Sequence, residues 1–257
     1  MLKRKGVKEV KEMNDEIQRI IKVYSTYGED EAIRARWALN NPGNQAILRE
    51  RQQAMQEMLM NYGFWPLDNL RILDVGCGRG DVLASLQQWG AKPENLYGVD
   101  LLQDRIEEAK RRYPDLNFLC ANAEHLEFSD GSFDLVLLFT VFSSILDDTV
   151  AQNIAKEIAR VLRPSGAVLW YDFRYNNPWN PNVRGMTTHH IHRFFPEFEV
   201  HLRTITLLPP LARRLGRLTP VLYPFLVAIP ILRTHYLALL MKRMRPNDKL
   251  QMRIGHG

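Results

Sequence analysis

Apolar positions recur at three-to-four spacing over residues 8–24. There Val10, Met13, Ile17, Ile20, Ile21 and Tyr24 stand between charged residues, which predicts an amphipathic helix. A turn signal follows at Asn40-Asn41-Pro42-Gly43-Asn44. Ile47, Ala54, Met55, Met58 and Leu59 then mark the apolar side of a second helix over 45–60. The character changes at Leu70. Leu70–Val75 is short, apolar and closed by a glycine-rich turn, so it reads as a strand. A helix over 81–89, a strand at Leu96–Val99, a charged helix over 103–112 and a strand at Phe118–Cys120 follow in turn. Phe133–Phe139 is an almost unbroken apolar run of the kind a buried parallel strand shows. A helix over 148–162 carries Val150, Ile154, Ile158, Val161 and Leu162 on one side. Pro164-Ser165-Gly166 breaks it, and Ala167–Tyr171 is the fifth strand.

Strands that alternate with helices through short links imply an α/β protein with a doubly wound parallel sheet, helices on both faces and right-handed crossovers. Beyond residue 187 the rhythm loosens. Thr188–Phe195 reads as a short helix before Pro196, and Glu199–Leu207 and Thr234–Met241 read as strands. The segment 208–233 between them holds five prolines and no acidic residue. The expected organisation is a helical cap or lid over 1–66, or a layer that simply covers the sheet, followed by a domain over 67–241 and a basic tail over 242–257.

Composition adds limits. The chain has 257 residues, 46% hydrophobic and 25% charged, with a net charge of +5, which fits an ordinary globule. No clustered basic stripe or recognition module accompanies the charge, so no nucleic-acid partner is expected. Cys77 and Cys120 share no metal-ligand spacing, so neither a metal site nor a disulfide framework is expected. A reducing compartment, the cytoplasm, is the natural expectation. The basic start MLKRKGVKEVKEM leads into polar residues, unlike a secretory signal. No run of 18 uncharged apolar residues predicts a spanning helix.

The chemistry concentrates at Asp74-Val75-Gly76-Cys77-Gly78-Arg79-Gly80, which closes one strand and opens a helix. Ligands of open α/β sheets bind outside the carboxyl ends of the strands. Asp100 closes the next strand, where two carboxylate oxygens can accept the two hydroxyls of a ribose. A dinucleotide fingerprint would need glycine where Asp81 stands, and a carboxylate repels a diphosphate. S-adenosylmethionine carries no phosphate but a sulfonium and an amino group, and two acids suit it better.

These residues resemble the class I S-adenosylmethionine-dependent methyltransferases, in particular the small-molecule group, over about 68–172 and more weakly to 241. The resemblance implies a Rossmann-like, mostly parallel seven-stranded sheet with the last strand antiparallel. It implies that Asp74, Gly76, Gly78 and Gly80 hold the methionine end of the cofactor, with Cys77 a small filler of that turn. Asp100 would then meet the ribose and Leu101 the adenine face. Asn122, Ala123 and Glu124 would contact the adenine edge and ring, with Asn122 standing where the family commonly has Asp. Phe139 and Thr140 would close under the cofactor. A class I methyltransferase acting on a small molecule is the leading reading. Methylation of RNA or protein, and cofactor binding without catalysis, are the alternatives. The Asn/Asp-Pro-Pro-Tyr/Phe motif of many nucleic-acid amino methyltransferases is replaced by Phe139-Thr140-Val141-Phe142.

Acceptor-side candidates are fewer. His189 and His190 open the helix after the fifth strand and could serve as a base, or be surface residues of a helix start. Asp172 follows the fifth strand and could orient a base or pair with Arg174. Arg36 and Trp37 in the cap, with Tyr175, are candidates for acceptor binding. The basic, apolar 208–233 segment could lie peripherally on the inner face of an anionic membrane and meet a lipid-like or glycan-linked acceptor. It could equally wall an acceptor pocket, or form a structural or homodimer contact.

Overall fold

A computed structural model describes residues 14–36 and 38–243, apart from the side chains of 28, 29 and 32–34. Val10, Met13 and Trp37, together with the tail beyond 243, lie outside the described residues. The chain opens with α1 (Asp15–Glu29), α2 (Glu31–Arg36) and α3 (Pro42–Asn61). The helix expected from residue 45 begins three residues earlier. Asn41 caps it by accepting from Gly43 and Asn44, and Pro42 occupies the first turn, where its missing N–H costs nothing. The turn signal was thus a helix start.

Seven strands follow: β1 (Ile72–Val75), β2 (Leu96–Asp100), β3 (Asn117–Cys120), β4 (Phe133–Phe139), β5 (Leu162–Phe173), β6 (Phe198–Leu207) and β7 (Arg233–Lys242). Between them run α4 (Asp81–Gln88), α5 (Gln103–Arg112), α6 (Asp148–Val161), α7 (Thr188–Phe194), α8 (Pro209–Arg214) and α9 (Thr219–Val227). The sheet order is β3-β2-β1-β4-β5-β7-β6. The first five strands pair in parallel, and β7 runs antiparallel to both β5 and β6. This is the mostly parallel, doubly wound sheet expected from the alternation. Pro164-Ser165-Gly166 does not end a helix ahead of a separate strand. It is an irregularity within β5, exposed at Pro164 and Ser165 and buried at Gly166, and the pairing with β4 jumps from Leu162 to Ala167.

Period-two alternation sends the strands' side chains into two cores. Val136, Leu138, Val168, Trp170 and Leu240 face α1, α6 and α7. Leu135, Leu137, Leu169, Leu237 and Leu239 face α3, α4 and α5. A third, smaller cluster joins Ala46 and Ile47 of α3 to Ala212 of α8 and Tyr223 of α9. Helices α3 and α8 meet backbone to backbone, because a Cβ on Gly43 would run into the Ala212 carbonyl. The 208–233 segment is therefore two short helices folded back onto the N-terminal layer, and its prolines keep them from merging.

Candidate active site

The loop between β1 and α4 supplies the floor of a cleft. Gly76 adopts φ +73°, and an added Cβ would stand 2.8 Å from Val141 Cγ2, so glycine is required for both backbone and space. The amides of Gly76 and Cys77 donate to the Val99 carbonyl at 2.8 and 3.0 Å. Gly78 N–H donates to Asp100 Oδ2 and Leu102 N–H to Asp100 Oδ1, each at 2.9 Å. Asp100 therefore locks the glycine turn to the end of β2 while keeping lone pairs for a ligand.

Gly76, Asp100, Leu101, Asn122, Ala123, Phe139 and Thr140 all line this cleft. Thr140 holds a left-handed φ of +56°, with its N–H fixed to the Tyr171 carbonyl at 2.7 Å. Such strain in a non-glycine residue costs about 1–3 kcal/mol and is found where a site demands it. Ile17, Ile20 and Tyr24 of α1 close the cleft from above. That helix is docked by Glu16, whose carboxylate accepts from Leu146 N–H, and by Arg19, which donates to the Ser144 carbonyl. Tyr24 hydroxyl bonds Ser144 Oγ.

Asp74 is buried, and neither carboxylate oxygen has a partner. Burial and the neighbouring Asp100 push its carboxyl well above the usual range, with Arg51 opposing them. A buried acid without donors is costly unless a ligand supplies them. The ammonium of a bound methionine moiety would do so. The ribose would meet Asp100, and a flat base would lie against Leu101, Ala123 and Ile154. The residues present fit S-adenosylmethionine.

Several expected residues lie elsewhere. Cys77 is buried with its sulfur in the core beside Gly98, away from the cleft. Gly80 caps α4, packed against Phe118 and Tyr113. The Glu124 carboxylate is taken by Asn153 at 2.9 Å and by Asn122, so it turns from the cleft. His189 is exposed on α7, and His190 closes a capping box with Thr187 and stacks near Phe194. Neither lines the cleft, because both serve or follow a helix start. Tyr175 is exposed under the Arg174 guanidinium, and Arg36 is exposed, so the acceptor role expected of them has no cleft contact behind it. Asp172 is buried and makes no ion pair with Arg174. It accepts from Ser143 N–H at 3.0 Å and from Phe173 N–H at 2.8 Å, which positions the loop after β4. Burial pushes its carboxyl up to about 6 against those donors.

The structure adds a polar belt that spacing does not reveal. Arg51 of α3 lies over the rings of Phe139 and Tyr171, with its Nε buried and unpartnered. His235 stacks on Tyr171 at 4.6 Å, and burial with the nearby Arg51 cation holds its imidazole down to about 3. Tyr171 hydroxyl meets Thr206 Oγ1 at 2.9 Å, Glu50 accepts from Thr206 N–H, and Tyr223 hydroxyl donates to Glu50 at 2.6 Å. The one sequence signal was parity. Arg51 falls at the apolar spacing of α3, between Ile47 and Met55, and His235 falls in step with the inward Leu237 and Leu239. Among the described residues no group of three metal-ligating side chains comes together.

Comparison with known proteins places this geometry. The family described as "Methyltransferase domain" matches residues 72–166. A phthiotriol/phenolphthiotriol dimycocerosates methyltransferase of Mycobacterium ulcerans is 36% identical over 124 residues, 46% of this chain and 44% of that protein. A demethylmenaquinone methyltransferase of Beutenbergia cavernae is 34% identical over 111 residues, 43% of each. The chain thus spans less than half the length of these curated relatives. A SAM-dependent methyltransferase structure from Methanosarcina mazei shares the fold, with TM-score 0.54 and 22% identity over 73% of this chain and 98% of that one.

One expectation is corrected here. A tRNA N(3)-cytidine methyltransferase of Gallus gallus is 30% identical over 135 residues, 48% of this chain and 36% of that protein. A methyltransferase solved in complex with the Haloferax volcanii Trm112 methyltransferase activator also shares the fold, with TM-score 0.51 and 16% identity over 80% of this chain and 99% of that one. The exclusion of nucleic acid rested on modest net charge and the lack of a basic module. A protein named for tRNA methylation is thus similar to this chain over its methyltransferase part, so the exclusion does not hold.

Proposed function

We propose that this chain, through residues 72–166, is a class I S-adenosylmethionine-dependent methyltransferase and that it methylates a small, lipid-soluble acceptor. S-adenosylmethionine, when bound, supplies an activated methyl group to a nucleophilic oxygen, nitrogen or carbon. The observation that carries the reading is the buried Asp74 carboxylate, which has no donor of its own beside the glycine turn and Asp100. In this reading Asp74 accepts from the methionine ammonium and Asp100 from the ribose hydroxyls. Gly76 and Gly78 let the backbone approach. Asn122 Oδ1 accepts from Glu124 N–H and one hydrogen of its amide nitrogen goes to the Glu124 carboxylate, which leaves the second amide hydrogen to donate to a ring nitrogen of adenine. Leu101, Ala123, Phe139 and Thr140 supply the walls.

Transfer is a displacement in which alignment supplies most of the rate. Phe139, Val141, Ile145 and Ile154 line the cleft with apolar side chains, which suits a lipid-soluble acceptor. The relatives named for phthiotriol dimycocerosates and demethylmenaquinone support that class. Free thiols at Cys77 and Cys120 suit a reducing, cytoplasmic setting. A second reading, methylation of tRNA, is favoured by the chicken relative.

Transfer of labelled methyl from S-adenosylmethionine to long-chain phenols and hydroquinones in detergent, and in parallel to unmodified tRNA, separates the two. Label in the lipid-soluble acceptors is the expected result. Label only in tRNA overturns the first reading in favour of the second, and failure to bind S-adenosylhomocysteine overturns the cofactor assignment itself.

A further inference from the structure

Helix α9 is apolar on every side, yet protein covers only one of them. Tyr223 is buried, and Leu226 and Val227 pack against the cluster built on Ala46 and Ile47. On the outer face Leu218, Val221 and Phe225 are 60, 60 and 72% exposed, and Ile229 and Ile231 beyond the helix end are 44 and 74% exposed. A helix that is hydrophobic all round belongs in a fully apolar environment. Here the outer half has none within the fold. The rim is basic: Arg214 and Arg217 are exposed, and no acidic residue occurs between His201 and Pro246.

We infer that the α8–α9 face docks on the surface of an anionic lipid bilayer, with Phe225 and Ile231 entering the headgroup–acyl boundary. The inference goes beyond the proposed reaction and does not depend on which acceptor is methylated. Charge selects this occupant over a second copy of the chain. A two-fold contact sets the same patch against itself, so Arg214 and Arg217 would find no acidic partner in the facing segment. It also selects lipid over nucleic acid, since four of the five exposed residues are aliphatic and offer no stacking surface for bases. Nine helical residues span about 14 Å, so α9 lies in the interface plane. Among the described residues no helix is long and apolar enough to cross a membrane.

The inner side of the same helix connects to the reaction end of the sheet. Tyr223 bonds Glu50, Glu50 bonds Thr206, and Thr206 bonds Tyr171, whose ring lies against the cleft residue Phe139.

Cosedimentation of the full chain with phosphatidylcholine vesicles, with and without phosphatidylglycerol, tests this at low salt. The expected result is partition onto the anionic vesicles about tenfold above the neutral ones, reduced about tenfold by Phe225→Ser with Ile231→Ser. Both positions are exposed, so S-adenosylhomocysteine affinity should be unchanged and certifies the fold of the double variant. Wild-type chain left in the supernatant with anionic vesicles overturns the inference. So does vesicle binding that the double variant retains. A wild-type dimer that the same variant turns into monomer assigns the face to self-association instead, and a tRNA complex lost in that variant while vesicle binding persists assigns it to nucleic acid. Either result also overturns the inference.

Discussion

The two halves of the sheet are built by different means. Around β1, β2 and β4 the cleft is made largely of main chain: glycine amides, a carbonyl at Val99 and one carboxylate, Asp100, that ties Gly78 across 22 positions and Leu102 across two. Around β5, β7 and β6 the corresponding edge is made of side chains drawn from remote segments. Glu50 and Tyr223 meet across 173 positions, and Arg51, next to Glu50 on α3, reaches Tyr171 of β5. A half built from local backbone geometry leaves a spacing in the chain. A half built from long-range side-chain contacts leaves only isolated polar residues at inward positions. The first half is where the cofactor chemistry gathers, and the second is where this chain differs from a bare domain.

The sharpest way to test that the halves are separate is to damage the first alone. Asp100→Ala removes the proposed acceptor for two ribose hydroxyls and releases the Gly78 and Leu102 amides. Each hydrogen bond to a charged group is worth about 1.5–3 kcal/mol, and about 1.4 kcal/mol is tenfold in affinity, so S-adenosylhomocysteine should bind at least about 100-fold more weakly. Asp100→Asn, which keeps one acceptor oxygen, should fall between. Calorimetric titration reads both, and an affinity within about threefold of wild type for the alanine variant would sink the assignment of Asp100.

The same division explains what the chain disclosed beforehand. Strands β1, β2 and β4 and the turn at Gly76–Gly80 were legible because apolar runs and obligatory glycines have no other reading in that order. Strand β6 was legible from alternation, whereas its antiparallel pairing with β7 came from the resemblance to the family. The helical stripe Ile17, Ile20, Tyr24 was legible as a helix, but its closing of the cleft was not, since that depends on Glu16 and Arg19 gripping residues 144–146. His189 and His190 misled because a histidine at a helix start has the same spacing whether it caps, as His190 does, or reaches a ligand. Asp172 was found as a residue but not as a contact. It was expected either to orient a base or to pair with Arg174, whereas the strand turns it inward to the Ser143 amide.

Asp172 is also where the halves join, since it stands on β5 and holds the loop after β4. Its carboxyl, raised by burial to about 6 in the fold, sits above its unfolded value. Between roughly pH 4 and 6 the folded state then binds more protons than the unfolded state, and stability falls as pH rises through that window. Each tenfold change in proton affinity is worth about 1.4 kcal/mol, so ionising Asp172 in the fold costs about 3 kcal/mol. Asp172→Asn cannot titrate, so its stability relative to wild type should rise by about that amount from pH 4 to pH 7. Urea denaturation of both proteins across the range measures the difference, and parallel curves would show that Asp172 is not held in the buried, raised state.

The smallest change acts on the second half alone. Tyr223→Phe keeps the ring in the cluster with Ala46 and Ile47 but removes the hydroxyl that donates to Glu50 at 2.6 Å. Glu50 retains Thr206 N–H, so the carboxylate loses one donor and keeps another. Loss of one hydrogen bond to a charged group should cost about 2 kcal/mol in urea denaturation. Because the cleft residues Gly76 and Asp100 stand at the ends of β1 and β2, four and five positions from β6 in the sheet order, S-adenosylhomocysteine affinity should stay within about twofold of wild type, a change of less than half a kcal/mol. A fall in affinity alongside stability would mean that the belt from Tyr223 through Thr206 to Tyr171 transmits strain into the cofactor cleft. The two halves would then be one cooperative device, and the contrast between a locally built cleft and a remotely built edge would describe their origin in the chain but not their behaviour.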